Sequence, residues 1–436
     1  MASSVFSRPF FFFYSLLWRI ALPFLKRSRR LADGWAERLI PENWLSPDFD
    51  SDGVDIWLQA ASGGEARLAV SVCHSLSKER PLRVLVVTWT RQGRDVVEKA
   101  IPALKESHPL LRVAVRFAPF DRPDIVCRAI RLASPGIVAL LETELWPSLM
   151  AACRDKNIPL HVVNGRITAS TVNFGRRFTS LMKSVSPSGI HAVSENDRRG
   201  FAAIFPCPTQ TMPNIKFDLA AELLKKPLPK DDQLFSSQGP VFLFASVRSG
   251  EETRLPGQFA RIFAACPEAC IVIVPRHLYR VQAWHSVLCD IGFSPLLVSE
   301  MKGNIVLEKG QILIWDRFGD LPQLYATAQA VFVGGSFGQG GQNFLEACAA
   351  GRVPCIGPSA ENFLWAMSSE NGLPSLKASG LLRTASDPHE VIDIMIQQAA
   401  SPQSKDEVRE AFHTWLSQRL GGAAEAAALL ERHLSA

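Results

Sequence analysis

Three carboxylates stand where short apolar runs give way to turn-forming residues: Glu65 in QAASGGEARLA, and Glu142 with Glu144 in LLETELWPSL. Small residues at 60–64 make a tight turn and place Glu65 in the first turn of a helix, where the dipole and nearby amides favour its ionised form. A carboxylate held that way suits a base waiting for a hydroxyl proton. The same position suits a helix-start Glu that only complements the dipole, and sequence leaves both readings open. Glu142 and Glu144 precede Trp146 and Pro147 at the start of another helix, and read equally as functional acids and as caps.

Two further tracts carry groups for an anion. VPRHLYR puts Arg276 and His277 at a strand end, where an arginine holds a phosphate through two parallel hydrogen bonds and a surface salt bridge is the plain alternative. VGGSFGQGGQNFLEACAAG ends a strand in two glycines, adds a second glycine pair and opens a helix over Asn343 to Glu346. Backbone amides approach an anion closely there, and Glu346 is placed to accept hydrogen bonds from a ribose, although a structural glycine turn has the same composition. No GKS or GKT follows, and the tract is not in a first βα unit, so it is neither a Walker loop nor the dinucleotide fingerprint. The nine histidines show no HExxH spacing and the nine cysteines no CxxC pair. A protein-held metal is not expected, nor a cofactor, and the thiols read as reduced.

The elements that must position these groups alternate. VDIWLQ (54–59), LRVLVVT (82–88), VAVRF (113–117), GIVALLE (136–142), LHVVN (160–164) and HAV (191–193) are separated by helical patterns. The plan repeats in VFLFAS (241–246), CIVIVP (270–275), ILIW (312–315), AVFVGG (330–335) and VPCIG (353–357). Continuous apolar strands between helices predict α/β domains with parallel sheets covered on both faces. A chain of 436 residues with 47% hydrophobic and 20% charged residues suits two such domains, at 50–222 and 240–436, joined by a polar linker at 223–239. The site is expected at the carboxyl ends of both sheets, in a cleft shared by the domains. The final Ala-rich helix is assigned to the second domain, with the option of packing back on the first.

Residues 1–30 read as a membrane anchor with a basic cluster. PFFFFYSLLWRIALPFL is apolar except for Ser15 and Arg19 and ends at Lys26, Arg27, Arg29 and Arg30. Seventeen helical residues reach about 25 Å, short of the ~30 Å hydrocarbon core, so a shallow or tilted anchor is expected rather than a clean span. No small-x-small cleavage site follows, against a signal peptide, and the basic cluster places the rest of the chain in the cytoplasm. An ordinary first helix packed on the domain is the alternative. The net charge of +5 lacks the aromatic interleaving of a nucleic-acid groove.

With these tracts in order, the chain resembles the Kdo transferases, the family that moves 3-deoxy-D-manno-octulosonic acid from its CMP-activated form to the lipid A precursor. The resemblance covers nearly the whole chain: the amino-terminal anchor, SGGE at 62–65, ETELWP at 142–147, Asn164 to Ile167, NIKFD at 214–218, ASVRSGEE at 245–252, PRH at 275–277 and GGQNFLE at 340–346. It implies a GT-B architecture, two Rossmann-like doubly wound domains with a central cleft and a membrane-anchor helix, at the cytoplasmic face of a bacterial inner membrane. It implies inverting, metal-independent transfer with Glu65 as general base and Glu142 and Lys216 stabilising the transition state. CMP would be held by Pro275 and Arg276, by Phe318, Gly319 and Asp320, and by Asn343, Phe344, Leu345 and Glu346. The amino-terminal domain would take lipid IVA and the carboxyl-terminal domain CMP-Kdo.

This chain departs from the family pattern in having Gln342 where His is usual, Phe344 beside it, and Arg248 in place of another His. Gln cannot become cationic, so charge neutralisation at the nucleotide would be weaker or relocated to Arg248. The alternatives that follow are a different nucleotide-sugar donor on the same fold, or a catalytically weakened homologue that still binds nucleotide.

Overall fold

The computed structural model describes residues 7–44, 53–225, 227–228, 234–338, 340–369 and 372–434. They fall into two compact units, Met1–Leu219 with Arg419–Ala436, and Ala220–Gln418.

The first unit is built on seven parallel strands: β1 (Ile56–Ala60), β2 (Leu82–Thr88), β3 (Leu111–Phe117), β4 (Ile137–Leu141), β5 (Leu160–Gly165), β6 (Gly189–Ala192) and β7 (Thr209–Thr211). Their order is β3-β2-β1-β4-β5-β6-β7, with Ile56 in register with Val84 on one side and Ile137 on the other. Direction across the sheet therefore reverses between β1 and β4. Every residue of β1 and β4 is buried because each face of the sheet is covered, which is why these strands read as unbroken apolar runs. Side chains alternate between two cores. Trp57, Val138 and Leu140 lie in one, and Ile56, Leu58 and Ala139 in the other.

That second core takes Ala423, Ala426, Ala427, Leu429 and Leu430 from the last helix, Gly422–Leu434. The assignment of the whole span 240–436 to the second domain is corrected accordingly. Small residues on one helix face let it sit closely on the first unit, and Asp218 accepts the N–H groups of Gly421 and Ala423, both at 2.8 Å, to fix its start. The first unit also begins earlier than residue 50. Arg38 and Trp44 are fully buried in it; Arg38 donates to the carbonyl of Trp89 at 2.7 Å and Trp44 lies against Trp57 at 5.5 Å. The polar stretch from Pro47 falls outside the described residues up to Gly53.

At the amino terminus Ser7–Leu25 is a 19-residue helix. Trp18 and Leu22 pack with Phe120, Ile125, Trp35 and Trp89, and Tyr14 reaches the same side. Phe12, Phe13, Leu16, Leu17, Ile20 and Phe24 are exposed. Among the described residues no helix is long and apolar enough to cross a membrane. The anchor expectation thus meets a helix with one face committed to the domain and the other bare.

The second unit has its own seven-stranded parallel sheet: β9 (Val241–Val247), β10 (Cys270–Pro275), β11 (Leu296–Leu297), β13 (Ile312–Ile314), β14 (Ala330–Val333), β15 (Cys355–Ile356) and β16 (Arg383–Thr384), in the order β11-β13-β10-β9-β14-β15-β16. β8 (Phe235–Ser237) and β12 (Ile305–Leu307) pair apart from it. Here the reversal falls between β9 and β14. The expected linker is shorter than 223–239, since the Ile215–Lys225 helix enters it and β8 occupies its far end. The strands that sequence pattern missed, β7, β8, β11, β12 and β16, are two or three residues long, too short to show a period.

Candidate functional site

In an open α/β sheet the loops at the reversal point diverge and leave room for a ligand. In the first unit those loops follow β1 and β4, and they carry Glu65 and Glu142. Ser62 caps the Gly63–Ser75 helix by accepting the Glu65 N–H at 3.3 Å, while Glu65 Oε2 accepts the N–H groups of Ser62 at 3.0 Å and of Ala61. The helix-start role of Glu65 is therefore real. It also orients the carboxylate, leaving Oε1 outside the cap. Burial, then the charge of Glu142, raise the Glu65 pKa above its ordinary value, against the two N–H groups and Lys216, which favour ionisation.

Glu142 lies just beyond β4 in left-handed backbone, φ 57°, and is paired with Lys216. Glu144 accepts the Trp146 Nε1–H at 2.6 Å, and burial, with smaller contributions from Glu65 and Glu142, pushes its carboxyl up to about 7. The structure thus brings Glu65, Glu142 and Lys216 together, with Glu144 as a third acid in the same field. Asn164, also left-handed at φ 57°, and Ser246 at 53° stand at the ends of β5 and β9 beside register shifts in those pairings. A non-glycine residue held there is costly, which makes these strand ends candidates for function.

In the second unit the reversal brings SVRSGEE after β9 against GGS after β14. Glu251 accepts N–H groups from Arg248 at 2.8 Å, Gly335 at 2.9 Å and Ser336 at 3.1 Å, so a buried carboxylate shapes the glycine turn. A Cβ at Gly334 would stand 2.6 Å from Glu251 Oε2. At Gly335, φ 69°, a Cβ would meet Gln342 Cγ at 3.0 Å and Arg248 Cδ at 3.1 Å, so two of the three residues that depart from the family pattern converge over one glycine. Partial burial, then Arg248 and Arg276, hold His277 below its ordinary pKa, which puts all three side chains in one electrostatic neighbourhood.

The remaining nucleotide candidates divide. Arg276 is exposed at the end of β10 and Phe318 is 71% exposed beside Gly319. Asp320 instead accepts the Trp315 indole N–H at 3.0 Å, and Asn343 donates to Glu346 at 2.9 Å. Pro275, Phe344 and Leu345 are buried; Phe344 packs on Phe363 at 4.9 Å, so its side chain belongs to the core. The helix expected to open over 343–346 begins at Leu345 and has five residues, leaving the loop amides rather than a long helix dipole to meet an anion. No group of His, Cys, Asp or Glu among the described residues is arranged to hold a metal ion.

Comparison with known proteins places this geometry. Residues 33–219 match the family described as 3-Deoxy-D-manno-octulosonic-acid transferase (kdotransferase), a span that includes Glu65, Glu142 and Lys216. The 3-deoxy-D-manno-octulosonic acid transferase of Bordetella pertussis is 29% identical over 377 residues, covering 84% of each chain. The chain is similar to the Kdo transferases over most of its length. The enzyme of the same description from Haemophilus influenzae is 27% identical and covers 71% of both chains. An Anabaena protein crystallised with UDP-glucose (TM-score 0.52, 15% identical, 88% of this chain and 99% of that one) shares the fold. So does the α,α-trehalose 6-phosphate synthase of Burkholderia multivorans (TM-score 0.51, 11% identical, 88% and 99%). The chain is a glycosyltransferase with the GT-B fold.

Several of its site-building residues carry no chemistry that sequence reading singles out. Asn164 Oδ1 accepts the Ile215 N–H at 2.9 Å and Asn214 Oδ1 the Lys216 N–H at 3.0 Å, so two family tracts far apart in sequence are clasped where Lys216 starts its helix. Asp121 and Glu251 do the same for other loops. The signal in the sequence is the tracts themselves, NGRI, NIKFD and GEE.

Proposed function

We propose that this chain is a Kdo transferase that moves Kdo from CMP-Kdo to the lipid A precursor lipid IVA in lipopolysaccharide core biosynthesis, with inversion and without a metal. The observation that carries the reading is the arrangement of Glu65 beside the Glu142–Lys216 pair at the reversal point of the first sheet. Glu65 Oε1 takes the proton of the acceptor hydroxyl as its oxygen attacks the anomeric carbon of Kdo, and the bond to the CMP phosphate breaks. A carboxylate whose pKa is raised is a stronger base, while the N–H groups and Lys216 keep it ionised. Lys216, anchored by Glu142, stabilises negative charge in the transition state. Arg276 and the glycine turn hold the phosphate of CMP, with Phe318 to Asp320 and Asn343 to Glu346 completing the CMP site.

The acceptor is a lipid, and the exposed Phe12, Phe13, Leu16, Leu17, Ile20 and Phe24 followed by exposed Lys26 and Arg27 suit an anionic bilayer surface. The helix then lies in the interface at the cytoplasmic face of the inner membrane. A second reading, transfer from another nucleotide sugar, draws on the meeting of Arg248 and Gln342 over Gly335.

Mass spectrometry of lipid product after incubation of detergent-solubilised protein with lipid IVA and freshly generated CMP-Kdo tests the proposal. A Kdo-sized increment is expected, absent with Glu65→Gln. Well-folded protein that binds CMP yet adds no such mass would overturn Kdo as the transferred sugar.

A further inference from the structure

The loop that carries Glu142 and Glu144 runs directly into the Pro147–Asp155 helix, whose own N-cap residue, Trp146, offers no side-chain cap. The cap comes from elsewhere. Asp121, 2% exposed, accepts the Ser148 N–H on Oδ2 and the Leu149 N–H on Oδ1, both at 3.0 Å, and its backbone carbonyl accepts the Ser148 hydroxyl at 2.6 Å. Those N–H groups belong to the first turn, which has no intrahelical acceptor, so losing the carboxylate leaves them unsatisfied. The third donor to the Asp121 carboxylate is the Tyr14 hydroxyl, at 2.9 Å to Oδ2, from the amino-terminal helix.

An aromatic series runs beside this contact. Trp146 stacks on Trp89 with centroids 4.7 Å apart, Trp89 meets Phe120 at 6.2 Å, and Phe120 meets Trp18 of the same amino-terminal helix at 5.7 Å. Trp146 in turn donates its indole N–H to Glu144. The amino-terminal helix therefore reaches the acid loop twice, through the carboxylate that caps the next helix and through a series of ring contacts. Both contacts use its domain-facing side, leaving the exposed apolar face clear.

We propose that Tyr14 and Asp121 are positioning residues, through which the seating of the amino-terminal helix fixes the loop bearing Glu142 and Glu144. Neither touches substrate. A helix that holds the capping carboxylate in place beside the acid loop ties full activity to a seated helix. The consequence for catalysis rests on the reading of Glu142 given above; the mechanical coupling does not.

The test separates the two. Hydrogen exchange at the Ser148 and Leu149 amides reads the coupling without any reaction, with the β4 and β5 amides as a control for general unfolding. Tyr14→Phe keeps the ring and removes one donor; Asp121→Asn keeps the volume and removes the charge and one acceptor. Asp121→Asn is expected to speed exchange of the two amides by about tenfold and Tyr14→Phe by about threefold, with β4 and β5 unchanged. The exciton signal of the Trp89–Trp146 pair in circular dichroism should weaken in the same order. In turnover, kcat should fall by a comparable factor while KM for CMP-Kdo stays put. Unchanged exchange at Ser148 and Leu149 in both variants overturns the coupling. Faster exchange with kcat unaltered in an active enzyme overturns the positioning role, and faster exchange in protein that transfers no Kdo upholds the coupling while defeating the proposed reaction. Should Asp121→Asn fail to fold, Tyr14→Phe alone decides by the same readings.

Discussion

The two units solve the same topological problem with different materials. Each sheet reverses its strand order once, between β1 and β4 and between β9 and β14, and each gathers its candidate groups there. In the first unit the groups are charged side chains already engaged: Glu65 is folded into its own cap and Glu142 is paired with Lys216. In the second, the buried carboxylate of Glu251 spends itself on three backbone N–H groups, while Arg276 and Phe318 stay exposed. Groups that act on a reacting bond must be aimed before substrate arrives. Groups that hold a nucleotide are completed by the nucleotide itself.

Glu65→Gln attacks that contrast where it is sharpest. Gln accepts the same N–H groups, so the capping box survives and only basicity is lost. Turnover should fall by about a thousandfold with CMP affinity by calorimetry unchanged; weakened CMP binding would show that the two units do not divide the labour this way. Arg276→Ala should do the reverse, raising the CMP dissociation constant by about ten- to a hundredfold while turnover at saturating donor is largely kept. Glu251→Gln tests whether the glycine turn needs its buried carboxylate. Loss of charged hydrogen bonding to the Gly335 and Ser336 amides should weaken CMP binding by roughly fivefold, with no change in the pH dependence of turnover.

That pH dependence sharpens the first unit alone. Protonation disables a base, so kcat/KM should fall on the acid side as Glu65 titrates. Glu142→Gln removes a like charge that raises the Glu65 pKa, and should move the acid limb of whatever activity remains to lower pH; a limb that stays put would show that Glu65 does not control it. The smallest effect concerns the last helix. Burial, with neighbouring cationic groups, depresses His161 to about 3 and His191 to about 4, and His433 of the Gly422–Leu434 helix contacts His161 at 3.2 Å. Between the ordinary value of 6.5 and those values the unfolded chain binds protons that the native one refuses. Stability present above pH 6.5 should therefore be lost on acidification, by about 1–2 kcal/mol between pH 7 and 5 in urea melts, and less in His161→Gln.

Much of this architecture is local and so was legible. LRVLVVT and CIVIVP are strands at the residues their apolar runs marked, because a strand covered on both faces must be apolar throughout. Glu65 is legible as a helix start, and the same geometry is what its proposed role as a base draws on. Phe344 was legible by its place in a motif but not by its environment: its side chain is buried against Phe363.

By itself, then, the sequence determined the two alternating series of strands and helices, the apolar first helix and the tracts where chemistry concentrates, all through patterns a few residues long. Only the tertiary structure decided which tract ends meet: Asp121 with Ser148 and Tyr14, Asn164 with Ile215, Glu142 with Lys216, Glu251 with Gly335, and the final helix with the first unit. Strand order creates those meetings, and it is set by the summed burial of whole faces, a quantity that no short window of residues contains.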